Sequence, residues 1–128
     1  MPASVASVKK WNVQIKMIVG LINIESHSLK FKKMSVFLTA TVKSKTGRED
    51  ALKEALQQLV IGSRNEAACI QYDLHQSVED PGFFIFHEEW ADQAGLDLHN
   101  VQPHILRFQK EAGNLVEGTV TIYKTQKV

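Results

Sequence analysis

The sequence predicts an α+β domain of the ferredoxin-like kind, with element order β-α-β-β-α-β and a four-stranded antiparallel sheet. Three observations predict it. Apolar residues alternate with period two in four segments, they recur at helical spacing in two others, and turn residues separate the segments. A length of 128 residues at 14.4 kDa suits one domain. With 44% hydrophobic and 23% charged residues, the chain is neither disordered nor of low complexity.

The first strand starts near Ser35. Val36, Leu38, Ala40 and Val42 alternate with Phe37, Thr39, Thr41 and Lys43, a run rich in β-branched and aromatic residues. Thr46-Gly-Arg-Glu49 then has the spacing of a capping box, and Leu52, Ala55, Leu56, Leu59 and Ser63 share one face of the helix that follows. The next strand, Ala68 to Gln76, should put Ile70, Tyr72 and Leu74 on one side. In the third, Phe83 to Trp90, one face carries Phe84, Phe86, Glu88 and Trp90, and the other Phe83, Ile85, His87 and Glu89. Glu79-Asp-Pro-Gly82 between them is turn chemistry, so the pair should form an antiparallel hairpin.

The second helix should come in two pieces. Asp92 can cap a segment that runs to about His99, and Pro103 suits the first position of a new segment to Glu111 with Ile105, Leu106 and Phe108 on its apolar side. Gly113-Asn114 should end it, and Val116 to Tyr123 should be the last strand. Two helices on one face leave the other face bare. Phe37, Phe83 and Ile85 are placed to line that face, and a homodimer burying sheet against sheet would cover it economically, though residues 1–33 could cover part of it instead.

The division expected is a basic extension over residues 1–33 and a domain over 34–128. The extension carries six lysines against one glutamate, the remainder nine Lys/Arg against thirteen Asp/Glu, for a net charge of +1. Met17–Ile22 is six apolar residues long, far below the roughly 20 needed to span a membrane. Asn12, Gln14 and Lys16 interrupt any signal-peptide core, and Val13, Ile15 and Met17 alternate as in a short strand. A docking arm, or an upstream extension with Met34 as the functional start, fits this segment. Cys69 stands alone, so no intrachain disulfide or dithiol redox motif can form; a reducing, cytoplasmic setting and an inert buried thiol fit it.

Several chemistries are excluded. Glu88 and Glu89 are adjacent on a strand and face opposite ways, unlike a glycosidase carboxylate pair. No Gly-rich phosphate loop is present. His75, His87, His99 and His104 lack ligand spacing, so no metal site is expected. The aromatics are not interleaved with Lys/Arg on the first and third strands, and no nucleic acid is expected as partner.

The densest cluster is Glu88-x-Trp90, then His99, then Pro103-His104. Glu88 and Trp90 share a face, and a half-buried carboxylate there needs a partner, with His99 or a helix amide the candidates. His99, near the end of its segment, should be favoured as the cation by the helix dipole; His104, in a first turn, should be favoured neutral, which would make an acid/base pair. With Lys45-Thr-Gly47, Cys69-Ile-Gln-Tyr72 and Glu88-Glu-Trp90-Ala-Asp92, these residues resemble the antibiotic-biosynthesis-monooxygenase (ABM) family from Ser35 to about Tyr123. The resemblance implies a homodimeric α/β barrel, and its members include cofactor-free quinol monooxygenases, isomerases of small signalling sugars, and proteins without assigned activity. It implies a small aromatic substrate and O₂, no cofactor, and a catalytic set of His99, His104 and Glu88, with a pocket shaped by Trp90, Tyr72, Phe108 and Phe86. Haem degradation in the wider superfamily looks for an Asn on strand one and a His late in helix two; Phe37–Val42 and Arg107–Lys110 hold neither. Beside the monooxygenase stand three readings: a sugar-phosphate isomerase with Arg64, Arg107 and Lys110 as its only cationic candidates, a non-catalytic dimeric binding module, and a purely structural Glu88/Trp90/His99 network.

Overall fold

A computed structural model describes residues 34–128. The alternation at Val13, Ile15 and Met17 and every reading of residues 1–33 lie outside the described residues. Strands β1 (Val36–Lys43), β2 (Cys69–Gln76), β3 (Phe83–Trp90) and β4 (Thr121–Thr125) form one antiparallel sheet in the order β2-β3-β1-β4. Helix α1 (Glu49–Arg64) joins β1 to β2, and α2 (Gln93–His99) and α3 (Pro103–Leu115) join β3 to β4. This is the ferredoxin-like arrangement. Among the described residues, no helix is long and apolar enough to cross a membrane.

Strand alternation decides the core. Val36, Leu38, Ala40 and Val42 of β1 are buried beside Phe84, Phe86 and Trp90 of β3, and the register pairs Leu38 with Glu88 and Ala40 with Phe86. Leu52, Leu56, Leu59 and Ser63 bring the buried stripe of α1 onto this layer. Ile105, Phe108, Ala112 and Leu115 do the same for α3. Leu106, expected inside, is 45% exposed, because one residue from Ile105 is a 100° turn away from that stripe.

The structure departs from the sequence expectation at four further points. Thr46 does not cap α1. Lys45 and Arg48 close a tight turn (Arg48 N to Lys45 O, 2.9 Å) that needs the positive φ of +82° at Gly47; the cap position falls on Arg48, and the Glu49 carboxylate accepts from the Gly47 amide at 3.2 Å. Ile70 is not inside. A bulge between Cys69 and Gln71 sets those two residues against Trp90 and Glu89, leaving Ile70 as the extra residue, 57% exposed. Helix α3 runs through Gly113 and Asn114 to Leu115, since burying Leu115 and Val116 outweighs the helix cost of one glycine. Finally, the last strand starts at Thr121, after the chain reverses at Gly118 with φ of +70°, while Val116 makes only an isolated bridge to Ser44.

The two-piece second helix forms as expected. The Asp92 carboxylate accepts the Gly95 amide at 2.8 Å, α2 ends at His99, and Pro103 opens α3. Gly95 is where α2 meets the chain entering β2: a Cβ there would lie 2.3 Å from the Cβ of Ala68. Neither atom sits on a flexible stem, so overpacking outweighs the helix preference for alanine. Gly95→Ala should therefore destabilise the domain by about 2 kcal/mol, read as a lowered urea midpoint with unchanged m-value.

Candidate functional site

The site is built where β3, the α1–β2 turn and the α2–α3 junction meet. On β3 the period of two points Phe86, Glu88 and Trp90 to the helix side, and Glu88 lies level with Leu38 on one neighbour and Tyr72 on the other. The partner of Glu88 is Trp90, whose indole Nε1–H donates to Oε1 at 2.9 Å; no histidine is involved. Oε2 of Glu88 makes no hydrogen bond among the described residues.

The carboxylate that binds the histidines is Glu66, which the sequence does not advertise. It sits in the turn between α1 and β2, held by the Glu66 amide to Ser63 O (3.0 Å) and the Cys69 amide to Glu66 O (3.0 Å). One oxygen, Oε2, lies 2.8 Å from Nδ1 of His99 and 2.8 Å from Nε2 of His104. A carboxylate only accepts, so both ring nitrogens donate, and His99 is left with an unprotonated Nε2. That atom makes no hydrogen bond among the described residues. His99 is further fixed by packing, its ring 4.3 Å from Trp90 and 5.6 Å from Tyr72. His104 lies against Gly62 of α1, where a Cβ would come within 2.6 Å of its ring. A glycine so close to a helix end, where alanine would be favoured, was the one local sign that something packs there.

A cavity of about 380 Å³ opens between the sheet and α3. Its walls are mainly apolar, and Leu38, Tyr72, Phe86, Phe108, Glu88 and His99 contribute to them. Of the residues expected to shape a pocket, Tyr72, Phe86 and Phe108 do so. Trp90 does not line the cavity; it is fully buried behind His99 and Glu88. His104 does not line it either; it is joined to His99 by the shared Glu66 oxygen and by a ring-to-ring approach of 6.0 Å.

Burial governs the ionisation of these groups. It pushes Glu88 up to about 7, with the Trp90 hydrogen bond opposing and the charge of Glu66 reinforcing the rise. Burial also pushes the Tyr72 hydroxyl well above the ordinary phenol range, aided by the charge of Glu88. His99 is drawn below its usual value by burial, against the pull of Glu66. The helix dipole was expected to favour the His99 cation; desolvation of a nearly enclosed ring is the larger effect.

Two other expectations need correction. Arg64 is not available as a phosphate clamp: its Nε donates to Tyr72 O at 3.0 Å and its Nη2 pairs with Asp73 at 2.9 Å. Arg107 and Lys110 are exposed on α3 and do not line the cavity. Ligand spacing along the chain also missed a donor cluster, because the fold brings Glu66, His99 and His104 together with all donor atoms within 4.8 Å of one another.

Fold and site together define a small α+β protein with a mainly apolar cavity into which a histidine and a carboxylate are set. The chain belongs to the antibiotic biosynthesis monooxygenase family, whose model matches residues 35–111. It is 34% identical over 92 residues to "Putative monooxygenase YcnE" of Bacillus subtilis (strain 168), covering 71% of this chain and 96% of that protein. The crystal structure of PA3566 from Pseudomonas aeruginosa superposes with a TM-score of 0.73 at 36% identity, over 77% of this chain and 98% of that one. Rv0793 from Mycobacterium tuberculosis shares the fold with a TM-score of 0.69 at 24% identity, over 74% and 96% of the two chains.

The raised Glu88 value has a consequence for stability. A carboxyl that holds its proton more tightly when folded contributes stability fully present below its unfolded value of 4.5 and lost as pH rises through about 7. Glu88→Gln keeps an acceptor for Trp90 and cannot ionise. It should match the wild type in thermal denaturation near pH 4.5 and exceed it at pH 8, by on the order of 2 kcal/mol.

Proposed function

We propose that this chain is a cytoplasmic, cofactor-independent monooxygenase that oxidises a quinol or related electron-rich phenolic with O₂. The observation that carries the reading is His99, which lines an apolar cavity with Nε2 unbonded while Glu66 holds Nδ1. Membership of a monooxygenase family supports it. In this reading Nε2 of His99 takes the phenolic proton, and the phenolate passes electrons to O₂ inside a pocket that excludes water. The substrate supplies all four electrons: one oxygen atom enters its ring, the other leaves as water, and a quinone is the product. Glu88, holding a proton near neutrality and lining the same cavity, supplies the proton needed by the departing oxygen. Tyr72, Phe86 and Phe108 hold the aromatic ring, while His104 and Trp90 position His99. The isomerase reading loses support from the engagement of Arg64.

The measurement is oxygen uptake by the purified chain with no added flavin, metal or nicotinamide, across a panel of quinols with autoxidation subtracted. His99→Ala should lower kcat by about 100-fold or more, and His104→Ala by less. Unchanged turnover in His99→Ala would remove the base assignment.

We also propose a homodimer that buries the outer sheet face. Phe37, Phe83 and Ile85 lie there half-buried, opposite the helices. Sedimentation should give twice the 14.4 kDa chain mass, and Ile85→Asp should shift it to the single chain.

A further inference from the structure

We infer that Glu66, His99 and His104 form a binding site for a zinc-class divalent metal ion, and that filling it switches off His99 as the cavity's base. Three elements deliver the donors: the α1–β2 turn, the end of α2 and the first turn of α3. Two imidazoles and one carboxylate suit Zn²⁺ and its first-row neighbours, and leave further positions open to water. The three side chains are 11%, 6% and 15% exposed in the order named, so little water competes for the donors, and His104 is the edge from which an ion can enter.

The distances favour the site. Ligand atoms bound at about 2.1 Å to one ion lie about 3.0–3.4 Å apart across tetrahedral or octahedral angles. Oε2 of Glu66 already stands 2.8 Å from each nitrogen, and no pair of donor atoms is separated by more than 4.8 Å. An ion therefore needs the carboxylate oxygen to draw back by a few tenths of an ångström and the two imidazole nitrogens, no more than 4.8 Å from each other, to close to about 3.4 Å or less by side-chain rotation.

The price of entry is a pair of protons in the wrong place. Without an ion, Nδ1 of His99 and Nε2 of His104 both carry hydrogen and donate to Glu66. A metal requires bare lone pairs at those atoms, so each neutral ring must carry its hydrogen on the opposite nitrogen. For His99 that nitrogen is Nε2, the atom that acts as base in the function proposed above. It changes from acceptor to donor and no longer takes a proton from the substrate. This second half of the inference rests on the function proposed above; the site itself does not.

The test is calorimetry of Zn²⁺ binding to the full chain, with Co²⁺ absorption as a second probe. One ion per chain should bind, and Glu66→Gln, which keeps size and shape but not charge, should weaken binding at least tenfold. His75 and His87 meet edge to face on the outer sheet face with ring centroids 5.2 Å apart and provide the control, so His87→Ala should leave the affinity unchanged. No binding by the wild type, or binding lost in His87→Ala and kept in Glu66→Gln, would overturn the site. Quinol-dependent oxygen uptake should fall in proportion to Zn²⁺ occupancy and return with a chelator; full uptake at full occupancy would overturn the switch. Calorimetry needs no substrate, so an absence of quinol oxidation would sink the proposed activity and leave the metal result to stand by itself.

Discussion

A single carboxylate oxygen organises this domain's working end. Oε2 of Glu66 accepts from two imidazoles that come from different helices, and so ties the exit of α1 to both pieces of the second helical connection. None of the three residues is close to another in sequence, apart from the two histidines across the α2–α3 break. The bond to Nδ1 decides which face of His99 is chemically useful, and the stack on Trp90 decides where that face points. Remove the shared oxygen and a buried and a half-buried imidazole lose their one anionic partner among the described residues, a change whose cost exceeds that of one ordinary hydrogen bond.

Glu88 and Trp90 make a second, more self-contained unit. Because they sit two apart on one strand, the indole reaches one oxygen of the carboxyl without help from any other element. That leaves Glu88 poorly compensated for its burial, and this is the reason it holds a proton so far up the pH scale. Two acidic residues within one site thus differ in role by environment: Glu66 is surrounded by donors, while Glu88 has one donor and apolar walls.

How much of this could be read in the sequence follows from the range of each interaction. Period two on β1 and β3, the Asp92 cap and the Pro103 restart are local, and each was visible in a few consecutive residues. The same holds for Glu88, Trp90, His99 and His104 as a cluster, and the family resemblance settled the fold they belong to. Glu66 was invisible because its partners are 33 and 38 residues away and it lies in a turn with no periodicity of its own. The capping box at Thr46 failed because a neighbouring glycine turn moved the cap position to Arg48 and drew the Glu49 carboxylate to the Gly47 amide, and the helix stop at Gly113 failed because core burial two residues further on outweighed it. In both, a local preference was overruled by a contact that local reading does not contain.

The bulge at Ile70 has a consequence of another kind. Cys69 is paired with Trp90 and Tyr72 with Glu88, both on the helix side of the sheet, although they are three residues apart in a structure whose faces alternate every residue. One uncounted residue restores the parity. The side chain at 70 points outward and its chemistry is of little moment to the core, so many residue types would serve there. Loss of the residue would leave Cys69 and Tyr72 two apart, in regular register with Trp90 and Glu88, so neither they nor the Glu66 turn would change sides. Position 70 is therefore free in kind and tolerant in number, the one place in β2 where the chain can lose a residue and keep the register on either side of it.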